Sequence, residues 1–312
     1  MPKIFDLIVI GTGAAGMTAA IYAKRYNLAV LLIGEKRGGT AVEAYKIENY
    51  PGFPEITGLE LMEKFRTHAE KLAVPIKDHG VTQLSRSGDI FEVTTANKET
   101  FQCRTLVLAL GTKRKKLEVP GEAELTGKGV AYCATCDAPF FKNKVVAVAG
   151  GGDAATMAAV LLTQYASKIY LLVRSEVLKG EPIWIERATQ HGKIEVIYKT
   201  QVSKVVGTKM VEGVELDKPF QGNRILPVQG IFVEIGARPA TELAKEFGVA
   251  LNDRWRIKVD NEQRTNLSGV FAAGDVTDKT GHFEQIVNSA AQGAQAAYSA
   301  FLFLQDKKKL SK

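Results

Sequence analysis

The chain has 312 residues, 46% hydrophobic and 24% charged, the composition of a globular protein with a sizeable core and room for two domains of roughly 150 residues each. Its net charge of +7, from 41 basic and 34 acidic residues, favours acidic partners but is spread along the chain. With no aromatic-interleaved basic motif, the run "KRKK" at Lys113 to Lys116 and the tail "DKKKLSK" read as solvated charge, and nucleic acid is not an expected partner.

No apolar run reaches the ~18 residues of a membrane span, so no membrane partner is expected. The N-terminus runs straight into a buried-strand pattern without the regions of a signal peptide. A cytoplasmic protein is expected on these grounds, and in a reducing compartment three cysteines make no disulfide framework.

The first predicted element is the strand Phe5 to Ile10 in "FDLIVIGTGAAG", followed by Gly11, Gly13 and Gly16 at G-x-G-x-x-G spacing and a helical pattern in "MTAAIYAKRYN". Such glycines permit a tight turn, close approach of backbone N–H groups to a pyrophosphate, and close helix–strand packing. A second strand, "LAVLLIG", ends beside Glu35, 19 residues after Gly16, where a carboxylate can accept hydrogen bonds from a ribose diol. Strand, turn, helix, strand and acid in that order predict a dinucleotide site. Asn49, taken alone, is a turn residue before Pro51.

Thr105 to Leu110 reads as a strand that breaks at Gly111. The chain then runs through basic residues to Pro120, leaving the first domain. Cys103, ahead of that strand, is expected to be an inert packed thiol. "KVVAVAGGGDAATMAAVLL" repeats the strand, glycine turn and helix, with Gly150, Gly152 and Ala155 at G-x-G-x-x-A spacing, and "KIYLLVRSEVLKG" supplies the next strand. Further on, "GVFAAGDVTD" is a short buried strand ending in Gly274-Asp275, where Asp275 is able to bond ribityl hydroxyls. "HFEQIVNSAAQGAQAAYSAFLFL" follows, with apolar residues at helical spacing.

The expected class is therefore α/β, with two Rossmann-like, three-layer dinucleotide-binding domains, the second inserted into the first. The boundaries are placed at 1–114 with 243–312 for the first domain and at 115–242 for the second. Two such folds imply two dinucleotides, a flavin with a nicotinamide nucleotide being the usual pairing. The alternative is that the second is a structural copy without a ligand.

"AYCATCDAPF" holds Cys133 and Cys136 with Asp137 directly after them. A zinc half-site needs two further ligands, and Cys103, His68, His79, His191 and His282 form no second pair at structural-zinc spacing. No metal is expected. A static disulfide does not suit a reducing compartment. A reactive thiol pair is the reading these residues favour.

The ordered markers "GTGAAG", Gly38-Gly39, "IENYPGF", "LALGT", "VPGE", "CATCD", "GGGDAA", "EIGARPAT" and "AAGDVTD", with Gln285 shortly after, resemble the low-molecular-weight thioredoxin reductase family along nearly the whole chain. The resemblance implies a homodimeric flavoprotein enzyme, each subunit having FAD and NAD(P)H domains, that passes electrons through FAD to a Cys-x-x-Cys disulfide and on to thioredoxin. It implies that Gly11, Gly13, Ala15, Gly16, Gly39 and Gly111 surround FAD, with Glu35 near the adenosine ribose. Asn49, Asp275 and Gln285 would lie at the flavin end.

In the same carry-over Cys136 is the sulfur that receives electrons from the flavin, Cys133 attacks the partner's disulfide, and Asp137 is the general acid. A helix-start acid that only complements the dipole is the alternative for Asp137. Phe140 and Phe141 would contact the partner or pack in the core. Because the cysteines must meet both the flavin and a protein disulfide, relative rotation of the domains is expected, about Thr112 to Leu117 and Ala240 to Leu243.

The departures from that family gather at the electron donor. Its "HRRxxxR"-like turn is "VRSEVLK" here, keeping Arg174 and Lys179 but placing Val173 and Ser175 elsewhere, with Glu176 suited to an unphosphorylated ribose. Met157 and Ala158 replace a pair of glutamates, and Glu284 replaces an arginine. Three donors remain open: NADPH, NADH, and a non-nicotinamide donor such as ferredoxin or a reduced deazaflavin. Two other functions are considered: a dithiol oxidase of the same fold, and a non-catalytic flavin redox sensor docking an acidic partner. The intact Cys-x-x-Cys-Asp argues against the sensor.

Overall fold

The computed structural model describes residues 4–281 and 283–310; His282, one of the histidines weighed above as a zinc ligand, lies outside them, as do residues 1–3 and the end of the basic tail. The chain divides into two compact units, Met1–Lys113 with Pro239–Lys312, and Arg114–Arg238.

The first unit is built on a seven-stranded sheet. Ile4–Ile10 lies at its centre, paired in parallel with Val30–Ile33 on one side and Thr100–Leu108 on the other. Leu7, Ile8 and Val9 are fully buried, as a parallel strand covered on both faces requires. Val270–Ala272 adds to Thr100–Leu108, also in parallel. Beyond it the sheet turns antiparallel, through Ile90–Thr95 and Val81–Ser87.

That antiparallel extension explains a difference from the sequence reading. The strand expected from Thr105 begins at Thr100. Its first half is exposed or half-buried apart from Cys103, and only residues 105–108 are continuously buried. The first half pairs with Ile90–Thr95, Cys103 lying opposite Phe91. The first helix likewise starts earlier than its apolar pattern, at Ala14, because the small residues Ala14, Ala15 and Gly16 let the backbone pack directly beneath the glycine turn. The long helix Ile286–Leu310 crosses it so closely that a Cβ on Gly293 would sit 2.1 Å from the Ala15 carbonyl oxygen.

The second unit has a five-stranded sheet in the order Ile194–Tyr198, Lys168–Val173, Val145–Ala149, Gly230–Val233, Val130–Ala131, with every neighbouring pair parallel. The helix Asp153–Leu162 follows Val145–Ala149. An antiparallel meander, Val202–Val206, Gly213–Phe220 and Asn223–Pro227, completes it. Phe141 is buried and meets Phe232 edge-on at 5.0 Å. The two crossings of the chain, Thr112–Arg114 and Ala237–Pro239, pair as a short ribbon. No helix among the described residues is long and apolar enough to cross a membrane.

Candidate active site

In the first unit, the glycine turn is shaped by contacts that leave no room for side chains. Gly11 has φ +117, and a Cβ there would lie 2.0 Å from the Ala109 carbonyl oxygen. A Cβ on Gly16 would lie 1.8 Å from the Gly11 carbonyl oxygen, so the helix is seated on the turn itself. Gly13 caps the helix with no side-chain hydrogen bond to its first turn. Gly39, at φ +65, closes against it: a Cβ on Gly39 would meet the Gly13 Cα at 3.0 Å. This is a backbone cradle in which N–H donors, aided by the helix dipole, can hold a pyrophosphate.

Glu35 lies exposed just beyond the second strand. The Thr12 hydroxyl donates to the Lys36 carbonyl at 2.7 Å and thereby ties the glycine turn to that strand's end. Gly111 has φ +63 and open space where a Cβ would stand. The bare Gly11–Gly16 turn therefore fits the phosphates of a dinucleotide.

Two of the predicted flavin-end residues meet although they are 236 positions apart: the Asn49 side-chain amide donates to the Gln285 side-chain oxygen at 3.2 Å. Asp275 follows Gly274, whose φ of +84 turns the chain over the first helix and whose Cβ would meet that of Ala15 at 2.9 Å. The Ser289 hydroxyl donates to the Asp275 carboxylate at 2.9 Å. Burial raises the Asp275 pKa, and the nearby Glu284 raises it further, while the Ser289 hydrogen bond and Arg256 pull it down. Behind it, the buried Gln292 accepts from the Gly274 N–H and the Thr277 hydroxyl, each at 2.9 Å. The Thr280 hydroxyl donates to the Gly274 carbonyl at 3.0 Å.

In the second unit Cys133 and Cys136 form a disulfide, with Cα atoms 5.3 Å apart. Cys133 caps the short helix Ala134–Asp137, and its sulfur accepts the Cys136 N–H at 3.2 Å. Burial raises the pKa of the Asp137 carboxyl one position further on, which keeps a proton available on it at higher pH than an ordinary aspartate would. Phe140 is 72% exposed while Phe141 is buried. Phe141 fills the space where a Cβ on Gly230 would stand, 2.1 Å from its ring, so the two adjacent aromatics have opposite roles. Cys103 is fully buried, and burial pushes its thiol up to about 12.

The second glycine turn repeats the first. Gly150 has φ +146, and a Cβ there would lie 2.2 Å from the Glu234 carbonyl oxygen and 2.9 Å from the Ala155 Cβ. Gly152 caps the helix Asp153–Leu162 with nothing within 4 Å of its would-be Cβ. The segment after Lys168–Val173 folds back onto this turn: the Lys179 N–H donates to the Gly151 carbonyl at 2.7 Å, and the Glu181 N–H donates to the Asp153 carboxylate. Arg174 and Lys179 are both exposed. Glu176 is paired with Lys199 at 2.6 Å.

A family model described as pyridine nucleotide-disulphide oxidoreductase matches residues 5–293. The chain belongs to that family. Within it, the chain is similar to a thioredoxin reductase of Listeria monocytogenes, 38% identical over 98% of this chain and 96% of that protein. It is also similar to the crystal structure of Lactococcus lactis thioredoxin reductase (FR conformation), with a TM-score of 0.92 and 34% identity over 97% of this chain and 99% of that one. The crystal structure of T. acidophilum thioredoxin reductase matches with a TM-score of 0.90 and 34% identity over 96% and 98% of the two chains. Membership of this oxidoreductase family implies a flavin and a nicotinamide cofactor.

Two residues with notable partners, Glu122 and Arg256, are not among those expected from the sequence. Glu122, inside the "VPGE" marker, is buried and accepts the Leu117 N–H at 2.8 Å, the Glu118 N–H at 2.6 Å and the Tyr132 hydroxyl at 2.8 Å. It thereby anchors the residue next to Cys133. Burial, and after it the Glu122 hydrogen bond, pushes the Tyr132 hydroxyl up to about 12. The "VPGE" marker flagged the position of Glu122 but not its role, whereas no local pattern marks Arg256, whose partners Asp275 and Glu284 lie 19 and 28 positions away.

Proposed function

We propose that the protein is a thioredoxin reductase: an FAD-dependent enzyme that reduces the disulfide of thioredoxin, or of a thioredoxin-like protein, through Cys133 and Cys136, with NADPH as electron donor. The observation that carries the reading is the Cys133–Cys136 disulfide, with a donor on the Cys133 sulfur and the Asp137 carboxyl beside it. It stands in a chain with two backbone cradles suited to dinucleotides.

In this reading Gly11, Gly13, Ala15, Gly16 and Gly39 hold the FAD pyrophosphate, Glu35 the adenosine ribose, and Asp275 the ribityl hydroxyls. Gly111 leaves room for the cofactor, and Asn49 and Gln285, joined to each other, orient the isoalloxazine end. Gly150, Gly152 and Ala155 form the nicotinamide nucleotide's phosphate turn. When bound, FAD supplies two electrons, received one pair at a time from the donor, to the cysteine disulfide.

The thiol steps balance as follows. Cys133, as thiolate, attacks one sulfur of the partner's disulfide, forming a mixed disulfide and expelling the other partner sulfur as a thiolate, which takes the Asp137 proton. Cys136, having lost its proton, then attacks the Cys133 sulfur. This reforms the Cys133–Cys136 disulfide and releases the partner's second sulfur, which is protonated in turn. The partner gains two electrons and two protons, and the cysteine pair loses them. Asp137 is reprotonated from solvent. The exposed Phe140 provides an apolar contact for the partner beside these sulfurs.

NADPH is favoured over NADH by the charges around the second turn. Arg174 and Lys179 are exposed cations after Lys168–Val173; of the acids there, Glu176 is paired with Lys199 and the Asp153 carboxylate accepts the Glu181 N–H. A non-nicotinamide donor such as ferredoxin is the second reading, favoured by Val173 and Ser175 where further basic side chains would strengthen a phosphate site.

The test is anaerobic bleaching of the flavin by NADPH, NADH and reduced ferredoxin in turn, followed by oxidised thioredoxin. Bleaching by NADPH and recolouring by thioredoxin are expected. If only a small dithiol reduces the flavin, the protein is an oxidase. If the flavin is reduced but thioredoxin does not reoxidise it, the reductase reading fails.

A further inference from the structure

Beside Asp275 and Gln285 lies an ion pair for which the proposed reaction has no use. Arg256 leaves the turn at Asn252, whose side-chain oxygen accepts the Arg254 and Arg256 N–H groups at 2.9 and 3.0 Å. The next residue, Ile257, donates its N–H to the Val276 carbonyl at 2.9 Å, so Arg256 runs alongside the Asp275 segment. Its side chain is only 14% exposed. One guanidinium nitrogen donates to the Asp275 carbonyl at 2.5 Å. Another is paired with the Glu284 carboxylate.

Glu284 immediately precedes Gln285, the residue that Asn49 engages. Two carboxylates, Asp275 and Glu284, therefore share the influence of one guanidinium on the stretch expected to face a flavin. A guanidinium stays charged throughout the accessible pH range and, with both of its ends engaged, behaves as a fixed positive charge. Being partly withdrawn from water, it acts over a medium of lower dielectric constant than bulk solvent.

We propose that Arg256 is a positioning residue of the flavin site: it fixes the Asp275 peptide and neutralises Glu284, so that a flavin bound there can take on negative charge. This rests on the reading that FAD binds at Asp275, Asn49 and Gln285. A flavin that takes up two electrons and one proton gains one unit of negative charge. A carboxylate left without its counter-charge nearby opposes that gain and holds the flavin in its oxidised form.

The experiment is a potentiometric titration of the FAD-loaded protein, reduced by dithionite in the presence of a reference dye and followed by flavin absorbance. Four forms are compared: the parent, Arg256→Gln, Glu284→Gln, and the double variant Arg256→Gln/Glu284→Gln. Arg256→Gln is expected to shift the reduction equilibrium about tenfold towards oxidised flavin, about 30 mV lower in a two-electron couple. Glu284→Gln is expected to shift it in the opposite direction, and the double variant to return close to the parent.

A loss of packing alone would leave the double variant displaced as far as Arg256→Gln. That result, or Arg256→Gln at the parent's potential, overturns the inference. If Arg256→Gln does not fold, Glu284→Gln decides, and a potential identical to the parent's sinks the proposal. A parent chain that binds no FAD overturns the flavin reading itself, and this is seen before any variant is made.

Discussion

Gly293→Ala adds one methyl group where the helix Ile286–Leu310 crosses the helix Ala14–Arg25. Its Cβ would stand 2.1 Å from the Ala15 carbonyl oxygen, where 3.4 Å is already an ordinary contact. The obstacle is backbone, which cannot swing aside as a side chain can, so the two helices must separate by more than an ångström. Overpacking of this kind costs ~1–3 kcal/mol, and the rigid neighbour places it at the upper end. Against it stands the gain of ~1 kcal/mol for replacing a helical Gly by Ala.

A net loss of ~2 kcal/mol remains, or a fall in Tm of ~4–8 °C for a unit of ~150–250 residues. The shift also moves Ala15, in the first turn of the helix whose N-terminus is expected to hold the FAD pyrophosphate. FAD affinity of the apoprotein, read by quenching of flavin fluorescence, should fall at least ~10-fold, since misplacements of about 1 Å cost up to ~100-fold at such sites. Gly192→Ala is the control, because its Cβ would meet nothing within 4 Å. A Gly293→Ala protein with the parent's Tm and FAD affinity would refute the close-packing argument.

Three further outcomes are expected. Asp137→Asn should lower thioredoxin turnover by ~100-fold or more. Burial raises the Asp137 pKa, so the acid is present below that pKa and lost as pH rises through it; the parent's rate should fall on that limb, and the variant's pH–rate profile should lack it. Phe140→Ala should raise the KM for thioredoxin with Tm unchanged, whereas Phe141→Ala should cost ~3–5 kcal/mol of stability; equal effects on Tm would contradict their opposite burial. Trp255 holds φ +61, a strain of ~1–2 kcal/mol for a side chain with a Cβ. Its ring lies under the Lys245 ammonium at 4.7 Å, a contact worth ~0.5–1 kcal/mol at an exposed site. Trp255→Gly should therefore raise Tm slightly, and a lower Tm would show that the contact outweighs the strain.

The local parts of this protein were legible in the sequence because each depends on a few neighbouring residues. Apolar runs declared the parallel strands around both glycine turns, since strands buried on two faces have no polar positions. The glycines declared the turns, since at Gly11 and Gly150 both the left-handed backbone and the contact with a neighbouring carbonyl exclude a Cβ. Cys133, Cys136 and Asp137 lie within five residues, and their chemistry could be read without a fold. The start of the strand at Thr100 could not, because its first half is half-buried and depends on an antiparallel neighbour for its place.

What only the tertiary structure decided is which distant residues share a site. Asn49 meets Gln285, and Arg256 bridges Asp275 to Glu284. It also separated Phe140 from Phe141, two identical neighbours of which one faces solvent and the other the core. Local sequence specifies backbone conformation and burial period, since those forces act over a turn or a strand. A hydrogen bond or ion pair between residues far apart in the chain depends on where the whole fold carries them, and no local pattern records it.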